Sequence, residues 1–166
     1  ATNIARPRWR NGHAAARVHL AKIHTGAEGR TRAAQDDDAD VLAPVELVEA
    51  HGTATKAGDA AEFEGLRQVF GPAPDEKQWC ALGSVKSQIG HTKAAAGAAG
   101  LFKTVMALHH KVLPPTIKVD KPNPKLAIEA SPFYLNTRAR PWVRGADHPR
   151  RASVSSFGFG GSNFHL

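Results

Sequence analysis

Residues 93–110 read KAAAGAAGLFKTVMALHH, a run of helix-forming residues with almost no side-chain bulk in its first half. Such a segment gains little by covering a core from outside, because Ala and Gly bury little apolar area. It suits a position where other backbones come close. The sequence therefore predicts a helix from Lys93 to about His110, capped by Thr92 and buried between layers. Its later half carries Leu101, Phe102, Val105, Met106 and Leu108.

The neighbouring segments supply those layers. VELVE (Val45 to Glu49) alternates apolar and acidic residues and reads as a strand, and WCALGSV reads as a buried one. RASVSSFGF reads as a strand ending in a glycine turn, and SNFHL begins another. Between the first two strands lies a helix, DAAEFEGLRQVF, with Asp59 placed to cap it and Phe63, Leu66, Val69 and Phe70 on one face. Strands alternating with helices argue α/β architecture. Residues 1–43 are different. They hold a basic stretch, a block at Asp36, Asp37, Asp38 and Asp40, and little periodicity, so they read as a weakly structured segment ahead of an ordered portion, 44–166. The aspartate block lacks the glycine and distal glutamate of a calcium loop, and a solvated charge run explains it; no metal site is expected.

Composition excludes several classes. Apolar residues make up 42% and charged ones 22%, enough for a packed core and against wholesale disorder. No apolar run reaches the ~18 residues of a membrane span, and ATNIARPRWR has no apolar stretch to make it a secretory signal. A single cysteine, Cys80, excludes an internal disulfide framework and makes a reducing, cytoplasmic setting the default. It sits within a strand of apolar neighbours, which predicts an inert thiol. The net charge of +7 favours an acidic partner, while no recognition motif supports nucleic acid.

Chemistry concentrates in three loops. His51 (EAHGTAT) and His91 (SQIGHTKAAAG) each stand between a strand and a helix, where functional groups of α/β folds gather. A helix N-terminus favours the neutral imidazole, which donates through one nitrogen and accepts through the other. Two such donors converging on one point stabilise an oxyanion or enolate. Either histidine alone would read as a loop cap; two in matching Gly/Thr loops favour a site. Lys86, five residues before His91, would hold nearby imidazoles neutral. Thr53 and Thr55 alternate along the first loop and present two hydroxyls for an amide-containing ligand, or for turn chemistry. FGFGGSN (Phe157 to Asn163) is neither a Walker loop nor a dinucleotide fingerprint, and reads as an aromatic glycine turn beside a site.

EAHGTATKAGDAAE, GSVKSQIGHTKAAAGAAGLFK, VLPPTIKVDKPNP and SSFGFGGSNFH, in that order, resemble the C-terminal half of a β-ketoacyl synthase of the polyketide or polyunsaturated-fatty-acid type, from about Val45 to Leu166. The resemblance implies the C-terminal half of a thiolase-like layered α/β fold, incomplete at both ends, and decarboxylative Claisen condensation of an acyl thioester with malonyl carrier protein. It makes His51 and His91 the catalytic histidines and Lys86 the active-site lysine. Thr53 and Thr55 become contacts of the phosphopantetheine arm, Phe159 the gating phenylalanine, and Phe157 its neighbour in the same loop. It implies no cofactor bound by this chain, the arm being carried by a partner acyl carrier protein. The family's nucleophilic cysteine lies far upstream of the first histidine, and no residue before His51 is cysteine. The expected partner is therefore an N-terminal ketosynthase half, or a second copy in a homodimer. The rival reading is a non-catalytic binding or structural subunit that complements a Cys-bearing ketosynthase chain.

Overall fold

The computed structural model describes residues 45–71, 78–143, 149–158 and 161–166. The segment 1–43, with its aspartate block, and Phe159 lie outside the described residues. In chain order the elements are β1 (Leu47–Glu49), α1 (Lys56–Phe70), β2 (Cys80–Gly83), the single turn α2 (Lys86–Ile89), α3 (Ala96–His110), β3 (Val112–Leu113), β4 (Phe133–Leu135), β5 (Arg140–Pro141), β6 (Ala152–Phe157) and β7 (Asn163–His165). Among the described residues, five strands form one sheet in the order β4-β2-β1-β6-β7. β1 lies parallel to β2 and β6, β2 parallel to β4, and β7 closes the edge antiparallel to β6. β3 and β5 make a separate antiparallel pair.

Side chains alternate across a strand, and here each face buries its own set. Val48, Cys80, Leu82 and Phe133 face α1 and pack on Phe63 and Leu66. Leu47 and Ala81 face the other way, with Ala107 of α3, Leu113 and Trp142. The result is a helix–sheet–helix stack. Because β1, β2 and β6 run in parallel, their carboxyl ends fall along one edge, so the loops after them meet there.

Local differences from the sequence expectations have simple causes. α1 opens at Lys56, three residues earlier than expected, because Thr55, not Asp59, is the N-cap: its Oγ1 accepts from the Gly58 N–H at 3.2 Å. Asp59 instead sits in the first turn and accepts from the Ala54 N–H at 3.1 Å. Thr92 makes no side-chain cap hydrogen bond; a 3-10 turn, Lys93–Ala95, leads into α3. Lys86 opens the turn α2 where a plain loop was expected.

The small-residue helix approaches other backbones closely, as its composition demands, but on one side only; it is not buried between two layers as expected. Ala96, Gly100, Thr104 and Ala107 form the buried stripe of α3. A Cβ added at Gly100 would lie 3.2 Å from Glu49 Cγ and 3.5 Å from Val154 Cγ1, so α3 rides directly on β1 and β6. The opposite face is apolar and uncovered: Leu101, Phe102, Val105 and Met106 are all exposed, Phe102 by 67%. Among the described residues no helix is long and apolar enough to cross a membrane.

Candidate active site

The loop after β1 is built around His51. The buried carboxylate of Glu62, in the second turn of α1, accepts from the His51 N–H at 2.7 Å and the Gly52 N–H at 2.9 Å. Gly52 has a φ of +47°, and a Cβ there would meet Ser84 Cβ at 2.8 Å, so only glycine lets this loop pass so close to the end of β2. Ser84 Oγ donates to the His51 carbonyl at 3.4 Å.

Lys86 reaches back from α2. Its Nζ donates to the His51 carbonyl oxygen and lies 3.4 Å from His51 Nδ1. From β6, the Phe157 N–H donates to the same Nδ1 at 3.3 Å. Nδ1 is therefore the acceptor nitrogen, and the ring proton sits on Nε2. His91 is oriented in the same way by a separate device: the Lys93 N–H donates to its Nδ1 at 3.0 Å. The two rings lie 5.6 Å apart at 85°, and the Phe157 ring is 5.4 Å from His51. Four residues expected from the sequence, His51, His91, Lys86 and Phe157, thus come together at the carboxyl edge of the sheet.

Electrostatics favours the neutral ring. Burial, then the Lys86 ammonium, then His91, draws the His51 pKa down to about 4. Burial also lowers that of Lys86, against the opposing pull of Glu62 and Glu49. Carbethoxylation of His51, followed by mass spectrometry as a function of pH, should accordingly show a reactivity midpoint near 4. A midpoint at the ordinary ~6.5 would contradict this environment. Stability follows the same sign. As pH falls from about 6.5 towards 4, the unfolded ring takes up a proton that the folded ring refuses, so this contribution is full above that window and lost through it.

Thr53 and Thr55 line a cleft of about 690 Å³ that also meets Lys86 and His91 and has Phe63, Leu66 and Leu82 in its floor. Their hydroxyls are 3.1 Å apart and hydrogen-bonded. Thr55 thus serves turn chemistry as a cap, and of the pair's two hydroxyl hydrogens one remains to donate outward. Cys80 is fully buried in β2, where loss of solvation pushes its thiol pKa up, so it offers no thiolate at neutral pH.

Sequence reading missed two carboxylates, Glu62 and Glu49. Glu62 precedes Phe63 and lies four residues before Leu66, on the buried side of α1; a glutamate at that register was the available signal. Burial raises the pKa of both, their hydrogen-bond donors opposing it.

The chain is similar to known proteins in sequence and fold. The family model described as "Beta-ketoacyl synthase, C-terminal domain" matches residues 11–120, a span that begins within the segment 1–43. Polyketide synthase PksL of Bacillus subtilis is 51% identical over 122 residues, covering 74% of this chain and 3% of its own length. A polyunsaturated fatty acid synthase of a Thraustochytrium species is 52% identical over 129 residues, covering 74% of this chain and 5% of its own. Among solved structures, the ketosynthase from module 6 of the bacillaene synthase of Bacillus subtilis superimposes with a TM-score of 0.69 at 51% identity, over 73% of this chain and 22% of that one. The chain thus spans a small part of the length of the relatives it matches.

Proposed function

The chain belongs to the β-ketoacyl synthase family, of which it carries the C-terminal domain with a thiolase-like fold, and from that premise we propose that it supplies the histidine side of a decarboxylative Claisen condensation. The acyl group waits as a thioester on a cysteine outside these 166 residues, in a ketosynthase N-terminal half. A malonyl thioester arrives on the phosphopantetheine arm of an acyl carrier protein. The Nε2–H groups of His51 and His91 donate to its thioester carbonyl oxygen. The bond to the malonyl carboxylate breaks, carbon dioxide leaves, and the electron pair becomes an enolate whose oxygen both imidazoles hold. The enolate carbon attacks the acyl carbonyl, the cysteine thiolate departs, and a β-ketoacyl thioester remains on the carrier.

One observation carries this reading: each imidazole accepts a backbone N–H at Nδ1, so both present Nε2–H as the donor. Burial, with Lys86 second, keeps the His51 ring neutral, and Lys86 adds positive charge near the forming enolate. The outward hydroxyl of the Thr53–Thr55 pair suits an amide of the arm. Phe157, whose ring lies against His51, flanks the acyl thioester, and the family's motif assigns the gating role to Phe159. Lys56, Lys118 and Lys121 on the cleft wall suit an acidic carrier. The single buried thiol fits a reducing, cytoplasmic setting.

Mass spectrometry tests the division of labour. Incubated alone with an acyl thioester, the chain should carry no acyl adduct. Joined to a Cys-bearing ketosynthase half, the adduct should appear on that half's cysteine, and malonyl carrier protein should then yield a β-ketoacyl product. A stable adduct on Cys80 contradicts the proposal. Acylation and assembly without product identify the chain as a non-catalytic complement.

A further inference from the structure

Glu49 ends β1 with its side chain almost wholly buried, at 2% exposure. Its Oε1 accepts from the Val85 N–H and its Oε2 from Lys103 Nζ at 2.7 Å, with the Lys103 side chain itself only 9% exposed. Two buried donors, one a charge, therefore converge on one side chain. A carboxylate offers an acceptor oxygen to each; an amide offers one oxygen only and would leave a donor unpaired. Gly100 makes room for this arrangement, since its absent Cβ would crowd Glu49 Cγ.

The position matters for the site. Val85 immediately precedes Lys86, whose ammonium holds both the carbonyl and Nδ1 of His51. His51 lies two residues beyond Glu49 on the same strand extension. The Glu49 carboxylate therefore ties the backbone that carries Lys86 to the strand that carries His51, and Lys103 anchors that tie in α3. We propose that Glu49 is a positioning residue for the reaction: it sets the spacing between Lys86 and His51, and Lys103 holds Glu49 in place. The inference rests on the reading of His51 and Lys86 as parts of one centre.

The two halves of the ion pair separate the positioning role from a merely structural one. Lys103→Met removes the charge pair and leaves the Val85 acceptor. The double variant Glu49→Leu/Lys103→Met removes both charges, a replacement that buried pairs commonly tolerate, and takes the acceptor away as well. In the chain joined to a Cys-bearing ketosynthase half, the double variant should lower kcat for malonyl decarboxylation roughly 10–100-fold below Lys103→Met, the scale of a displacement near 1 Å. KM and cysteine acylation should stay close to those of Lys103→Met, and the melting temperature should not fall below that of Lys103→Met. Labelling of Lys86 by an amine-reactive ester, which needs no turnover, should be several-fold faster in the double variant than in Lys103→Met.

Equal kcat and equal Lys86 labelling in the two variants would overturn the proposal. His51→Ala, run in parallel, keeps the two readings apart. Full decarboxylation in that variant overturns the site itself, whereas its loss alongside an unaffected double variant overturns only the role of Glu49.

Discussion

Replacing either His51 or His91 by alanine in the joined synthase is expected to slow malonyl decarboxylation by roughly 10²–10³-fold, the usual effect of losing one donor to a developing oxyanion. Cysteine acylation should persist in both variants, because neither ring is the acyl acceptor. The two losses should also be far from additive, since both donors act on the same oxygen. The geometry gives the two variants different side effects. His51 Nδ1 accepts from Phe157 and faces Lys86, so its removal leaves the Phe157 N–H without that acceptor, while Lys86 keeps the His51 carbonyl. Among the described residues His91 accepts from Lys93, on its own loop, so His91→Ala should leave the His51–Lys86 arrangement intact. Coupled decarboxylation and acylation assays check this. Full decarboxylation in either variant removes that histidine from the mechanism.

The second large effect concerns the uncovered face of α3. Leu101, Phe102, Val105 and Met106 are exposed on one side of a helix whose other side is seated on the sheet. Each large apolar side chain left in water forfeits on the order of 1.5–3 kcal/mol. Together that is comparable with the ~5–15 kcal/mol that holds a domain folded. On its own the chain should therefore self-associate and bind hydrophobic dye. Replacing Leu101, Phe102 and Val105 by glutamine should shift it towards the 17.7 kDa monomer. Joining it to a ketosynthase N-terminal half should also reduce self-association, since we propose that this half covers the face. Light scattering checks both. A wild-type monomer with little dye binding would show that this face needs no partner.

The contrast between α3 and the two glutamates explains what was legible in the sequence. Small residues at Ala96, Gly100 and Ala107 announce close backbone approach whatever the fold, and the apolar run WCALGSV reads as a buried strand without knowledge of its partner strands, whereas the alternation of VELVE misleads, since β1 is buried throughout. The histidine loops were legible because His, Gly and Thr have few reasons to recur together at strand ends. Glu62 and Glu49 were not, because a glutamate reads as solvated until the donors that surround it are known. Those donors, the N–H groups of His51, Gly52 and Val85 and the ammonium of Lys103, come from positions far along the chain. The cap of α1 was misplaced for a local reason: Thr55 and Asp59 both offer a capping oxygen, and only the backbone turn at Ala54, with φ of 60°, selects the earlier one.

The most direct measurement is a crystal structure of the joined synthase with a malonyl thioester analogue that cannot lose its carboxylate. The account predicts that Nε2 of His51 and Nε2 of His91 both lie within about 3 Å of the thioester carbonyl oxygen, while each Nδ1 keeps its backbone N–H. A carbonyl oxygen held by backbone amides, with the two imidazoles turned away or bonded through Nδ1, would contradict it.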